Sequence, residues 1–127
     1  MERISSHRDL IVWKKAMSLA VRIYHETATF PRSETLGLTA QIRRSAVSVP
    51  SNIAEGAGRN SSRELYQFLG IATASLAELR TQIELSKQLG FLHVETSLDG
   101  SAEEVAKLLT TLRRSIRERV RKETSGG

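Results

Sequence analysis

Apolar residues recur along the chain at intervals of three and four, the repeat of an amphipathic helix, and no stretch alternates residue by residue as a half-buried strand does. Four helical segments follow from that pattern. The first covers residues 9–27, with the Asp9 carboxylate placed to accept the free amide groups at its start. Leu10, Trp13, Met17, Ala20, Val21 and Tyr24 share one face of it. Val12, Ala16, Leu19 and Ile23 form a second apolar stripe, nearly opposite, with a wedge of Arg8, Lys14, Lys15, Ser18, Arg22 and His25 between the two. Pro31 closes the segment, because proline disfavours helical geometry in the residue before it, here Phe30.

The second segment covers residues 33–57, and its apolar face is Leu38, Ile42, Val49 and Ile53 with the small Ser45 and Ala46 between them. Pro50 inside it predicts a kink or, alternatively, two shorter helices. Gly56 and Gly58 end it, since glycine accepts the left-handed C-terminal conformation. The third segment, residues 62–89, starts at a capping box with Ser61 as N-cap and Glu64 three residues on. Leu65, Phe68, Leu69, Ala72, Leu76, Leu79 and Ile83 line its apolar face, and the small Ala72, Ala74, Ser75 and Ala77 permit close helix approach. Gly90 terminates it. A connector over residues 91–98 is apolar enough to pack across the end of a bundle. A second capping box, Ser101-Ala102-Glu103-Glu104, opens the fourth helix, whose core stripe is Val105, Leu108, Leu109, Leu112, Ile116 and Val120.

Four amphipathic helices with short connections predict an all-α fold, an antiparallel up-down-up-down four-helix bundle. Residues 1–8 form an N-terminal arm, 9–122 the bundle domain and 123–127 a flexible tail. A helix in a monomer needs one apolar face, and the first helix has two. The second stripe, Val12, Ala16, Leu19 and Ile23, is therefore assigned to an oligomer interface, the alternative being cover from within the monomer.

With 127 residues the chain is long enough for one self-supporting domain, and it contains no cysteine, which excludes disulfides and thiolate metal sites. No run approaches the roughly 18 apolar residues of a membrane span, and the start lacks the apolar core of a signal peptide, so the expectation is a cytoplasmic protein without membrane contact. The formal charge is +5, and fourteen of the nineteen basic residues are arginine, whose planar fork suits phosphate and carboxylate. Arg113, Arg114, Arg117 and Arg121 cluster along one edge of the fourth helix, with Arg119 on the other edge and Lys122 behind. Arg43 and Arg44, with Lys15 and Arg22 of the wedge, extend the candidate nucleic-acid-binding surface. A basic row near a helix C-terminus also has the plainer use of opposing the helix dipole.

No catalytic site emerges. His7, His25 and His93 lack the spacing that puts two ligands on one metal, and no nucleophile elbow or phosphate loop is present. The expectation is a non-enzyme without metal or cofactor. The glycines and arginines from Gly56 to Arg63 could cradle an anion at a helix start, although a helix stop followed by an N-cap needs the same residues. Gln41, Ser48, Asn52 and Glu55 make a polar stripe beside the apolar face of the second helix, read as a structural hydrogen-bonded network between helices or subunits.

The block Gln41-Ile42-Arg43-Arg44-Ser45-Ala46-Val47-Ser48-Val49-Pro50-Ser51-Asn52-Ile53-Ala54-Glu55-Gly56 closely resembles the signature of a bacterial four-helix-bundle family encoded in intervening sequences of large-subunit ribosomal RNA genes. Asp9-Leu10-Ile11-Val12-Trp13-Lys14-Lys15-Ala16 resembles the family's opening. Ile71-Ala72-Thr73-Ala74-Ser75-Leu76-Ala77-Glu78-Leu79 resembles its third helix, with Ala74 where the family often has glycine. The resemblance covers residues 9–92. It implies a ring-shaped homopentamer with a basic surface, and kinship with the accessory variability determinant of diversity-generating retroelements, which binds nucleic acid and a reverse transcriptase. It implies no enzyme activity and no ribosomal-protein role. The reading that results is an oligomeric basic scaffold that binds RNA or DNA, with a protein-interaction adaptor, for example for a reverse transcriptase, as the alternative.

Overall fold

The computed structural model describes residues 6–126. Among them the regular structure is helical throughout: α1 Ile11–Thr27, α2 Leu38–Ala57, α3 Ser62–Gln88 and α4 Leu98–Ser125, with short 3-10 turns at His7–Asp9 and Arg32–Glu34. Each long helix packs against two others, α1 on α2 and α4, and α3 on α2 and α4. Between them lies one core, in which Ile23, Ile42, Ile53, Leu69, Leu79, Leu98 and Leu109 have no exposed surface.

Cross-helix contacts fix the register. Between α2 and α3, Ser48 bonds Ser75 at 2.8 Å and Arg44 bonds Glu78 at 3.1 Å. Between α3 and α4, Ser62 donates to Glu123 at 2.9 Å and Lys87 to Asp99 at 2.7 Å. Between α1 and α4, Lys15 meets Glu104 at 3.5 Å, and Arg22 donates to Ser101 and Ser97 at 2.8 and 2.7 Å.

The helix ends show which local signals operate. The Ser61 hydroxyl accepts from the Glu64 amide at 3.2 Å, the expected cap of α3. At the other end Gly90 has φ 81°, its amide bonds the Lys87 carbonyl, and the Phe91 amide bonds the Ser86 carbonyl at 2.8 Å. Those two bonds make a Schellman motif, which needs a left-handed residue at its centre. Phe91 then packs its ring 5.4 Å from Phe30, while Leu92 and Leu98 are buried, so the connector does cover the bundle end.

Five expectations are corrected. Asp9 is not the N-cap of α1; it ends a 3-10 turn, and Leu10 occupies the cap without a side-chain bond. The second segment does not start at residue 33, because a 3-10 turn precedes α2, but it passes Pro50 as one continuous helix and not two. Gly58, its C-cap, is right-handed with φ −82°, so neither glycine there uses the left-handed region. The Ser101 box is not a start signal: α4 begins a turn earlier at Leu98, and Ser101 lies inside it, accepting from Arg22. α4 also runs on to Ser125, into the segment expected as a tail. The remaining terminal assignments, residues 1–5 and Gly127, lie outside the described residues.

Gly56 is needed for closeness and not for termination. A Cβ there would stand 2.8 Å from the Phe68 Cβ and 3.1 Å from Leu65 Cδ1. Phe68 Cβ is bonded to its helix backbone and cannot yield without moving α3. Gly56→Ala is therefore expected to destabilise the protein by about 1–3 kcal/mol despite the better helix propensity of alanine, as read by urea unfolding.

Lys87, half-buried, lies 2.7 Å from Asp99 and 3.3 Å from Glu84. The Asp99 hydrogen bond holds its ammonium above the ordinary lysine range. Hydrogen bonds from Gln88 and then Lys87 hold the Glu84 carboxyl below the ordinary carboxylate range. The lysine contribution to stability is complete below its unfolded pKa and fades as pH rises through the raised value. The Glu84 contribution is complete above its unfolded pKa and fades as pH falls through the lowered one. Asp99→Asn is thus expected to lower Tm most near neutral pH, with the gap to wild type closing in alkali as Lys87 titrates; thermal melts across a pH series measure it.

Candidate nucleic-acid interface

Arg113 and Arg117 stand one turn apart on α4, with Thr110 a turn earlier and Arg114 alongside. Facing them on α3 are Tyr66 and Thr73, two turns apart, with Gly70 between. The side chains of Tyr66, Thr73, Thr110, Arg113, Arg114 and Arg117 enclose a groove of about 230 Å³. The Arg113 guanidinium carbon sits 4.4 Å from the Tyr66 ring centroid, a cation–π distance. Its Nη2 occupies the space beside Gly70, 2.9 Å from where a Cβ would be. Arg113 Nε is buried and has no hydrogen-bond partner. Among the described residues no carboxylate pairs with Arg113, Arg114 or Arg117. Three positive charges therefore face one groove whose walls supply no counter-charge, and an external anion is what such a place attracts.

The other five predicted basic residues are not brought to this groove, and each has an internal partner. Arg43 lies 4.6 Å over the Tyr24 ring and donates to the Thr27 hydroxyl at 2.9 Å and the Tyr24 carbonyl at 3.3 Å. That carbonyl is in the last turn of α1, where the Thr27 hydroxyl also reaches it at 3.4 Å, so Arg43 adds a C-terminal cap from α2. Arg22 ties α1 to the start of α4 through Ser97 and Ser101. Arg44 bonds Gln41 and Glu78, Lys15 pairs with Glu104, and Arg121 pairs with Glu118 at 3.4 Å. These exposed pairs contribute about 0–1 kcal/mol each and leave the side chains free to exchange partners.

The assignment of Val12, Ala16, Leu19 and Ile23 to an interface is overturned. They are 0–4 % exposed in the single chain, so they form its core and have no surface left for a neighbour. The surplus apolar surface is on the other stripe: Met17, Val21 and Tyr24 are 40, 51 and 45 % exposed. With Trp13, Ala20, His7 and His25, and with Val47, Pro50, Ser51 and Ala54 of α2, they line an apolar groove of about 500 Å³.

The polar stripe on α2 divides. Asn52 donates to the carbonyl and hydroxyl of Ser48, and Ser48 bonds Ser75, so these two do join α2 to α3. Gln41 and Glu55 turn outward to Arg44 and Arg59 and take no part. The segment from Gly56 to Arg63 has structural uses: Arg59 pairs with Glu55 at 3.0 Å and lies 5.0 Å over Phe68, and Arg63 reaches Thr124. His7 packs edge-on against Trp13 at 4.9 Å, while His25 and His93 are exposed. Among the described residues no three histidines or carboxylates gather as a metal site, and no helix is long and apolar enough to cross a membrane.

Tyr66, Gly70, Thr73 and Thr110 were not anticipated as site residues. The one available signal was Gly70, an isolated glycine within a helical pattern, which marks a packing or functional constraint when no turn follows.

A comparison with curated proteins gives no match. The family of 23S rRNA-intervening sequence proteins matches residues 8–111, which reaches further than the resemblance over 9–92 and takes in the first half of α4. Arg113, Arg114 and Arg117 lie just past its end. With more than half of the chain matched and all four helices entered, the chain belongs to the 23S rRNA-intervening sequence protein family.

Proposed function

We propose that the protein is a non-enzymatic, oligomeric scaffold that binds nucleic acid, RNA or DNA, along the groove between α3 and α4. The observation that carries this reading is the set of three guanidinium groups at one groove with no carboxylate among the described residues to neutralise them. Such a surface binds the phosphate backbone by releasing counterions, without reading base sequence. Family membership is compatible with it but does not supply it, since the arginines lie outside the matched residues. The scaffold is an up-down-up-down bundle, acts in the cytoplasm and assembles as the homopentameric ring that the family resemblance implies. Self-association through the α1–α2 groove is supported by its exposed Met17, Val21, Tyr24 and Val47.

Replacing Arg113, Arg114 and Arg117 together by Glu is expected to weaken binding of a 20-nucleotide single-stranded RNA at least about tenfold at 0.1 M salt. It should also flatten the slope of log affinity against log salt by about two, given roughly 0.7 per phosphate contact. Fluorescence anisotropy measures both, and absence of RNA and DNA binding to the wild type at low salt ends the proposal.

The second reading is an adaptor for another protein, for example a reverse transcriptase of a retroelement. It is favoured by the same apolar groove, which a polymerase could cover as well as a second copy could. Met17→Glu combined with Val21→Glu is expected to convert the assembly to monomers with unchanged helical circular dichroism, as read by light scattering. A wild-type chain that is already monomeric at micromolar concentration instead assigns the groove to another partner.

A further inference from the structure

Gly70 is the one member of the α3–α4 groove that a generally basic surface does not require. It lies inside α3, more than two turns from either end, where glycine weakens a helix. No turn or left-handed backbone explains it, since Gly90 is the only residue with positive φ among those described. What explains it is space. A Cβ at Gly70 would meet Arg113 Nη2 at 2.9 Å, Cζ at 3.4 Å and Nε at 3.6 Å. The guanidinium thus lies against the α3 backbone in the place a side chain would fill, with the Tyr66 ring 4.4 Å from its carbon.

We propose that Gly70, Tyr66 and Arg113 form a preorganised seat for a single phosphate group, with Arg114 and Arg117 closing on it from α4. A guanidinium held by a ring and a helix backbone has already lost most of its rotamer freedom, so little more is lost when a ligand binds. Its Nε is buried without a partner, and no carboxylate among the described residues satisfies the fork. Phosphate fits better than carboxylate because three cations converge there: a terminal phosphate offers three acceptor oxygens and up to two charges, and a backbone phosphate keeps its single charge at any pH. The groove of about 230 Å³ admits such a group but not a folded partner. This proposal rests on the nucleic-acid reading only for the source of the phosphate, which is a strand backbone or a free phosphate compound.

The test uses the full chain, Gly70→Ala and Arg113→Gln. Gly70→Ala removes the seat by displacing only the flexible end of Arg113, so its Tm in chloride is expected to equal or exceed that of wild type. Sodium phosphate compared with sodium chloride at equal ionic strength is expected to raise the Tm of wild type by more than that of either variant, whose rise is only the general effect of a surface-excluded salt. Both variants are expected to bind single-stranded RNA roughly tenfold more weakly, with a salt slope smaller by about 0.7. Equal protection of all three proteins by phosphate overturns the seat, as does no protection of any. If RNA is nevertheless bound equally by all three, the wider basic surface stands without the seat. Greater phosphate protection of wild type than of the variants, with no RNA or DNA bound at any salt, upholds the seat and overturns the nucleic-acid reading in favour of a free phosphate compound. Should Gly70→Ala not fold, Arg113→Gln carries the same comparison.

Discussion

Where α2 meets α3, Gly56 leaves no room for a methyl group between its backbone and Phe68, and the rest of the bundle is arranged around that approach. A glycine in a helix costs about 1 kcal/mol relative to alanine. The cost is offset because Leu65 and Phe68 approach the α2 backbone closely and Leu65 is buried there, which contributes roughly 1.5–3 kcal/mol for a side chain of that size. Further along the same seam, buried Ser45, Ala46 and Ala72 keep the spacing small. The Asn52–Ser48–Ser75 chain of hydrogen bonds then sets the register without a charge being buried. With α2 and α3 so placed, α1 and α4 close the remaining two sides of one core.

The arginines divide according to what surrounds them. Arg43 and Arg22 reach helix-end carbonyls and hydroxyls and act as ties between helices. Arg44, Arg59 and Arg121 have carboxylates within reach. Arg113 has a ring and a bare stretch of backbone in place of a counter-charge. A net charge of +5 thus conceals a local concentration at one groove, and the bulk value alone is a weak guide to where an anion would bind.

Much of the fold was legible because its signals are local. The Ser61 cap and the Gly90 stop act over three to five residues, and both operate as read. The choice of face on α1 was not legible. Both of its stripes have proper helical spacing, and only the positions of α2 and α4 decide that Val12, Ala16, Leu19 and Ile23 go inside. The Ser101 box failed for a similar reason: Leu98 is fully buried, and docking it extends α4 by a turn before the box. The sorting of the basic residues was hidden as well. The partners of Arg22 lie 75 and 79 residues away, and that of Arg44 34 residues away, beyond any pattern of spacing. Arg113, Arg114 and Arg117 could be seen as a row, but Tyr66 and Gly70 opposite them could not.

Past Ile116, α4 has no buried side chain, and only Arg119 and Val120 are half covered among the described residues. Its last turns are held by exposed hydrogen bonds such as Ser62 to Glu123 and Arg63 to Thr124. Segments with so few apolar contacts open locally at low free-energy cost. The arginine row on this helix therefore runs along a gradient of order. Arg113 is fixed next to the core, while Arg121 rides on a stretch free to fray. A ligand that meets the fixed end loses little conformational entropy in the protein but must match one geometry. Towards the loose end it meets charges that adapt to many shapes at greater entropic cost, so a single helix grades from selective to permissive contact along its length.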